Sequence, residues 1–125
     1  MLTTIRTLLV SIALTMVLPI VEAQAETHGA LAVERGRGDG FGISHSYRSR
    51  DGARTRALRE CGGRRCEIVL EFDRCAAYAD DQSRGSDIAG WGEHRSSRQA
   101  QEKALRECSE RGGRRCTVRI SACNN

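Results

Sequence analysis

The stretch ALRECGGRRC, Ala57–Cys66, recurs as ALRECSERGGRRC, Ala104–Cys116, with Ser109, Glu110 and Arg111 inserted. An internal repeat sets the architecture of a chain, so this phrase comes before everything else. Aligning Cys61 with Cys108 brings Ser49/Ser96, Ala53/Ala100, Leu58/Leu105, Arg59/Arg106 and Glu60/Glu107 into register. Beyond the insertion, Gly62-Gly63-Arg64-Arg65-Cys66 matches Gly112-Gly113-Arg114-Arg115-Cys116. Upstream, Gly40-Phe41-Gly42 is aligned with Gly90-Trp91-Gly92.

Each copy carries one physical plan. Ala53, Ala57 and Cys61 recur every four residues, as do Ala100, Ala104 and Cys108, and that spacing marks one face of a helix. Ser49 and Ser96 stand where N-caps belong, and Gln99 completes a capping-box pattern with Ser96. The double glycines end each helix, because glycine accepts the left-handed C′ conformation. A half-buried strand follows in each copy, CEIVLEF and CTVRISAC, with apolar and polar residues alternating. Ahead of the first helix, GALAV and GFGISHS flank a glycine-rich turn; ahead of the second, CAAYA and IAGWGEH flank a longer one. The expected fold is α+β: a strand-strand-helix-strand unit used twice, about residues 28–74 and 75–123, in a largely antiparallel sheet with two helices on one face.

Residues 1–25 read as a cleaved signal peptide: Arg6, an apolar run from Leu8 to Val21, then Ala23-Gln24-Ala25. The run is shorter than the roughly 18–20 residues of a bilayer span. Residues 26–125 then form one domain, too small to divide into two cores. Cysteines 61, 66, 75, 108, 116 and 123 all lie in it, and an even count in a small exported chain reads as three disulfides in an oxidising space, periplasmic or fully secreted. Six cysteines allow 15 pairings. The repeat plan selects Cys61–Cys66 and Cys108–Cys116 around the two reversals, leaving Cys75–Cys123 to tie the two halves together.

The formal net charge is +4, and the chain has only five aromatic residues to stack on bases, so nucleic acid is not an expected partner. No cofactor or metal site is expected. His45 and His94 lack the further ligands a zinc site needs, and no Ser-His-Asp order or nucleophile elbow stands out. Asp80 and Asp81 read as a solvated loop pair. Arg37-Gly38-Asp39 matches a short adhesion tripeptide, but the glycine and aspartate are what a turn requires. Arg64, Arg65, Arg114 and Arg115 are the main binding candidates, since paired guanidinium groups grip carboxylates or phosphates; the competing reading makes them solvated loop residues beside a disulfide. Trp91, between glycines, is either an interface anchor or core packing.

The ordered set GALAV, GFGISHSYRSR, the paired cysteines and GWGEHRSSR resembles the exported bacterial family designated domain of unknown function 4189, from Gly29 to Cys123. The link ADDQSRGSD departs from its pattern. The resemblance implies a secreted or periplasmic domain with no settled enzymatic activity, with relatives acting as binding, inhibitor or immunity-type proteins. The leading expectation is a non-enzymatic binding module with a periplasmic or extracellular protein partner. The alternatives are a self-associating envelope component and a hydrolase using His45 or His94.

Overall fold

The structure, a computed structural model, describes residues 13–20, 26–36 and 39–125. The signal-peptidase site at residues 23–25 and the pair Arg37-Gly38 lie outside the described residues. Among the described residues no helix is long and apolar enough to cross a membrane.

The chain forms β1 (His28–Glu34), β2 (Phe41–Tyr47), α1 (Arg50–Cys61) and β3 (Cys66–Phe72). It then repeats that order as β4 (Cys75–Asp81), β5 (Ala89–His94), α2 (Ser97–Glu110) and β6 (Cys116–Cys123). Both expected N-caps form: the Ser49 hydroxyl accepts from the Gly52 N–H and the Ser96 hydroxyl from the Gln99 N–H. Gly62 ends α1 in the left-handed conformation, φ 72°. The Ser109–Arg111 insertion carries α2 further before Gly112, φ 102°, reverses the chain.

Each unit closes its own antiparallel sheet, in the orders β2-β1-β3 and β5-β4-β6. The strands are therefore shared between two sheets, and each helix covers one face of its own. Alternation along the central strands explains the layering. In β1, Ala30 and Ala32 face Ala53, Ala57 and Cys61 of α1, whereas Leu31 and Val33 pack with Tyr78 of β4. In β4, Ala77 and Ala79 face Ala100, Ala104 and Cys108 of α2. Small residues thus seat the helices on the two outer faces. Large residues, including Ile43, Leu70, Trp91 and Ile120, fill the space between the sheets. The layer order is helix, sheet, sheet, helix.

The glycines of β2 and β5 set how closely the helices lie. A Cβ on Gly42 would come within 2.4 Å of the Ala57 carbonyl oxygen, and one on Gly90 within 2.4 Å of the Cys108 nitrogen. Gly42 and Gly90 are therefore the equivalent residues, under equivalent points of their helices. Strand pairing agrees: Gly42 lies opposite Ala32 and Gly90 opposite Ala79. This corrects the alignment of the two Gly-aromatic-Gly segments. Trp91 answers Ile43, not Phe41. A slip of two residues keeps every side chain on its face, so alternation alone does not expose it. An extra residue in β2, where Ser46 adopts φ 62°, restores the register before the helices.

All three disulfides pair as expected: Cys61–Cys66, Cys108–Cys116 and Cys75–Cys123. The expectation that Cys75–Cys123 joins the halves is corrected. It links β4 to β6 within the second sheet, where the two residues are direct cross-strand partners. The joint between copies is made elsewhere. Asn124 accepts from the Ser46 N–H at 2.7 Å through its side chain, donates to the Phe72 carbonyl at 2.9 Å, and donates its own backbone N–H to the Arg74 carbonyl at 2.8 Å. Arg119 of β6 adds a second joint, lying over the Phe41 ring of β2 at 5.1 Å.

Candidate functional site

Topology places the two Gly-Gly-Arg-Arg reversals at one end of the molecule. Only Asp73 and Arg74 separate β3 from β4, so β4 starts beside the end of β3. β1, antiparallel to β3, starts there too. Both central strands therefore run from this end, which Asn124 clamps, to the opposite one. The reversals lead into β3 and β6 beside the far ends of β1 and β4, where Glu34 pairs with Cys66 and Asp81 with Cys116.

Each reversal sits on a carboxylate at the end of its central strand. Asp81 is buried, with 7% of its surface exposed. It accepts hydrogen bonds from the Ser83 hydroxyl at 2.8 Å and from the Arg115 N–H at 3.0 Å. Hydrogen bonds from Ser86 first, then from Ser83 and the Arg115 backbone, hold its carboxyl well below the usual carboxylate range, against the opposing effect of burial. Gln82 N–H donates to the Arg115 carbonyl, so both backbone groups of Arg115 are tied to the end of β4. Glu34 is the counterpart in the first copy. It accepts from the Gly40 N–H at 3.1 Å, and a Cβ on Gly63 would lie 2.2 Å from its carboxyl carbon. The Arg35 N–H donates to the Arg65 carbonyl, as Gln82 does to Arg115. The reading of Asp80 and Asp81 as a solvated loop pair is thus corrected. Both lie in β4, Asp80 bonded to Arg119 at 2.9 Å and Asp81 buried beneath the second reversal.

Strand pairing, the seated carboxylate and a disulfide therefore hold each reversal from three sides. The side chains of Arg64, Arg65, Arg114 and Arg115 are exposed. Among the described residues none of them forms an ion pair. The backbone is fixed while the guanidinium groups stand in water, an arrangement suited to taking a carboxylate or phosphate from outside.

Trp91 is half-buried between the sheets, opposite Tyr78. Its neighbours Gly90 and Gly92 face α2, where a side chain would strike the helix backbone, so they serve helix packing rather than ring access. Arg111 lies over the ring at 4.8 Å and donates to the Ala89 carbonyl at 3.2 Å. The insertion that distinguishes the second reversal thus supplies the cation that covers Trp91. Burial of the Tyr78 phenol pushes its pKa up to about 12, with Asp80 adding to the effect, so it stays neutral.

The histidines are not brought together. β2, with His45, runs against β6, whereas β5, with His94, is the opposite edge of its sheet. His45 Nδ1 lies 3.1 Å from the Ser46 hydroxyl, and His94 pairs across the ladder with Cys75. His28 is bound to Asp73, Nδ1 to Oδ1, at 2.9 Å. Among the described residues no cluster of three or more His, Cys, Asp or Glu is arranged to hold a metal. A shallow open groove along α1, lined by Tyr47, Asp51, Gly52, Thr55, Arg56 and Arg59, contains neither histidine nor cysteine.

Sequence reasoning missed Glu34 and Asp81. The signal was present: both are the last residues of the first strand in their copies, at the same place in the repeat.

Compared with known proteins, residues 28–123 match the family model described as Domain of unknown function (DUF4189). No curated protein and no solved structure matches the chain.

Proposed function

Since the chain belongs to the DUF4189 family, whose description assigns no activity, we propose from its own surface that it is an exported, non-enzymatic binding module. Its arginine end recognises an acidic surface on a periplasmic or extracellular protein, and the module acts on that partner as an inhibitor or immunity-type protein. The observation that carries the reading is the pair of reversals, each fixed by a disulfide, a carboxylate and a strand, each presenting two exposed arginines that form no ion pair among the described residues. A pre-ordered backbone reduces the ordering cost of binding, and arginine is the residue most suited to two-pronged contact with carboxylates. Three disulfides support an oxidising compartment as the place of action.

The test is capture from envelope extract with the native chain and with the R64A/R65A/R114A/R115A variant. The reading expects partners held by the native chain and lost by the variant. Equal recovery of the same partners removes the arginine end as the binding surface.

A further inference from the structure

The arginines of this chain divide by whether the fold uses them. In the first copy Arg35, Arg50, Arg54 and Arg56 each pair with a carboxylate of the chain. In the repeat alignment the second copy has Gln82, Ser97, Gln101 and Lys103 at those places. In the second copy Arg98, Arg111 and Arg119 are paired. The first copy has Asp51 and Val69 opposite two of these, and no counterpart for Arg111, which lies in the insertion. Among the described residues, no ion-paired arginine is therefore an arginine in both copies.

The reverse holds for Arg59, Arg64 and Arg65. Among the described residues they form no ion pair, and each recurs as Arg106, Arg114 and Arg115, which form none either. Arg59 lies in the last turn of α1 and lines the groove along that helix rather than the reversal. Its nearest acidic neighbour in sequence, Glu60, is taken by Arg56 at 2.7 Å. Glu107, beside Arg106, is likewise taken by Arg111. Two more pairs recur: Arg48 and Arg95, ahead of the helices at the clamped end, and Arg37 and Arg84, in the links between the first two strands of each copy, of which Arg37 lies outside the described residues. Cations with an internal partner are accounted for by the fold. Arg64/Arg65 and Arg114/Arg115, without one among the described residues and present twice at one end of the molecule, are accounted for by an external anion that meets them twice.

Resting on the reading above, we infer that the chain carries two separate carboxylate sites, Arg64/Arg65 and Arg114/Arg115, and that its partner is a protein presenting two acidic clusters that fill both at once. Protein carboxylates fit better than a phosphate polymer. Glu67, held by Arg35, and Asp80, held by Arg119, lie on the strands that leave the reversals or beside them and break up the positive field that a dense polyanion needs.

The probes are a tetraglutamate peptide and peptides with two tetraglutamate blocks joined by Gly-Ser linkers of about 4 to about 20 residues, whose reach grows as about 5–6 Å × √n. Amide NMR titration of the full folded domain with tetraglutamate is expected to shift both Gly62–Cys66 and Gly112–Cys116, with dissociation constants within about tenfold of each other. One linker length is expected to give 1:1 binding on the order of 10²-fold tighter than tetraglutamate. R64A/R65A or R114A/R115A alone is expected to return that affinity to the single-block value, with an unchanged amide spectrum elsewhere. If only one reversal shifts, or no linker improves on the single block, the two-site inference is wrong while the arginine end stands. If neither reversal shifts and envelope capture is also insensitive to the arginines, the functional reading falls with it. If inorganic polyphosphate at about 0.15 M salt binds more tightly than the best two-block peptide, the ligand is a phosphate polymer and the assignment to protein is overturned.

Discussion

Replacing His28 and Asp73 together by cysteine will install a fourth disulfide. The repeat shows why. His28 opens β1 where Cys75 opens β4, and Asp73 follows β3 where Cys123 ends β6. Cys75 and Cys123 are cross-strand partners with Cα atoms 4.0 Å apart, the close spacing of a pair that shares no ladder hydrogen bonds. His28 and Asp73 already meet at 2.9 Å, so one copy holds this corner by a covalent bond and the other by a side-chain hydrogen bond. The separation is 45 residues against 48 for the native bridge. For loops of this length the chain-entropy treatment gives about 4 kcal/mol. The hydrogen bond given up has its carboxylate 59% exposed and is worth about 1 kcal/mol. The net gain is about 3 kcal/mol, or a rise in Tm of roughly 10–20 °C for a domain of this size. Thermal unfolding of H28C/D73C against H28S/D73S, with non-reducing peptide mapping, measures it. Free thiols at both positions in a protein whose three native bridges are intact would refute the equivalence of the two corners.

The close-packed glycines and the buried Asp81 give further outcomes. Gly42→Ala and Gly90→Ala must each lift a helix from its sheet, because the new methyl meets helix backbone at 2.4 Å; each is expected to cost about 1–3 kcal/mol. Gly85→Ala, with nothing within 4 Å but a φ of 76°, is expected to lose only about 1 kcal/mol from backbone strain, and urea unfolding of the three variants checks the order. The depressed folded pKa of Asp81 contributes stability that is present above its unfolded pKa of about 4 and is lost as pH falls below it. Asp81→Asn is expected to unfold earlier at neutral pH and to show a shallower decline in acid, as read from Tm between about pH 2 and pH 7.

Much of the fold was legible because each element carries a local signal. Alanines four apart, Ser49, Ser96 and the double glycines mark the helices and their ends, and the two short bridges follow from the reversals. Alternation says which residues share a face but not which sheet they join, so the division into two sheets needed the structure. Leu31 and Tyr78 show the point: they lie in the strands GALAV and CAAYA, and only packing reveals that they face each other. The two-residue slip between β2 and β5 was hidden because it preserves the pattern. The matched corners were hidden because His28–Asp73 and Cys75–Cys123 are chemically unlike. For the site, the arginines stood out through their repetition, whereas Asp81 looked like one of two loop aspartates until its burial under Arg115 was seen.

The central claim is that the exposed arginines of the reversals form the binding surface while the fold does not need them. The most direct test is the affinity of R64A/R65A/R114A/R115A for a purified partner recovered by the native chain, measured beside its Tm. The account predicts affinity lower by about 10²-fold or more, since removing several charge-assisted hydrogen bonds costs about 1.5–3 kcal/mol for each one lost, with Tm within about 2 °C of native. Native affinity in a folded variant would contradict it.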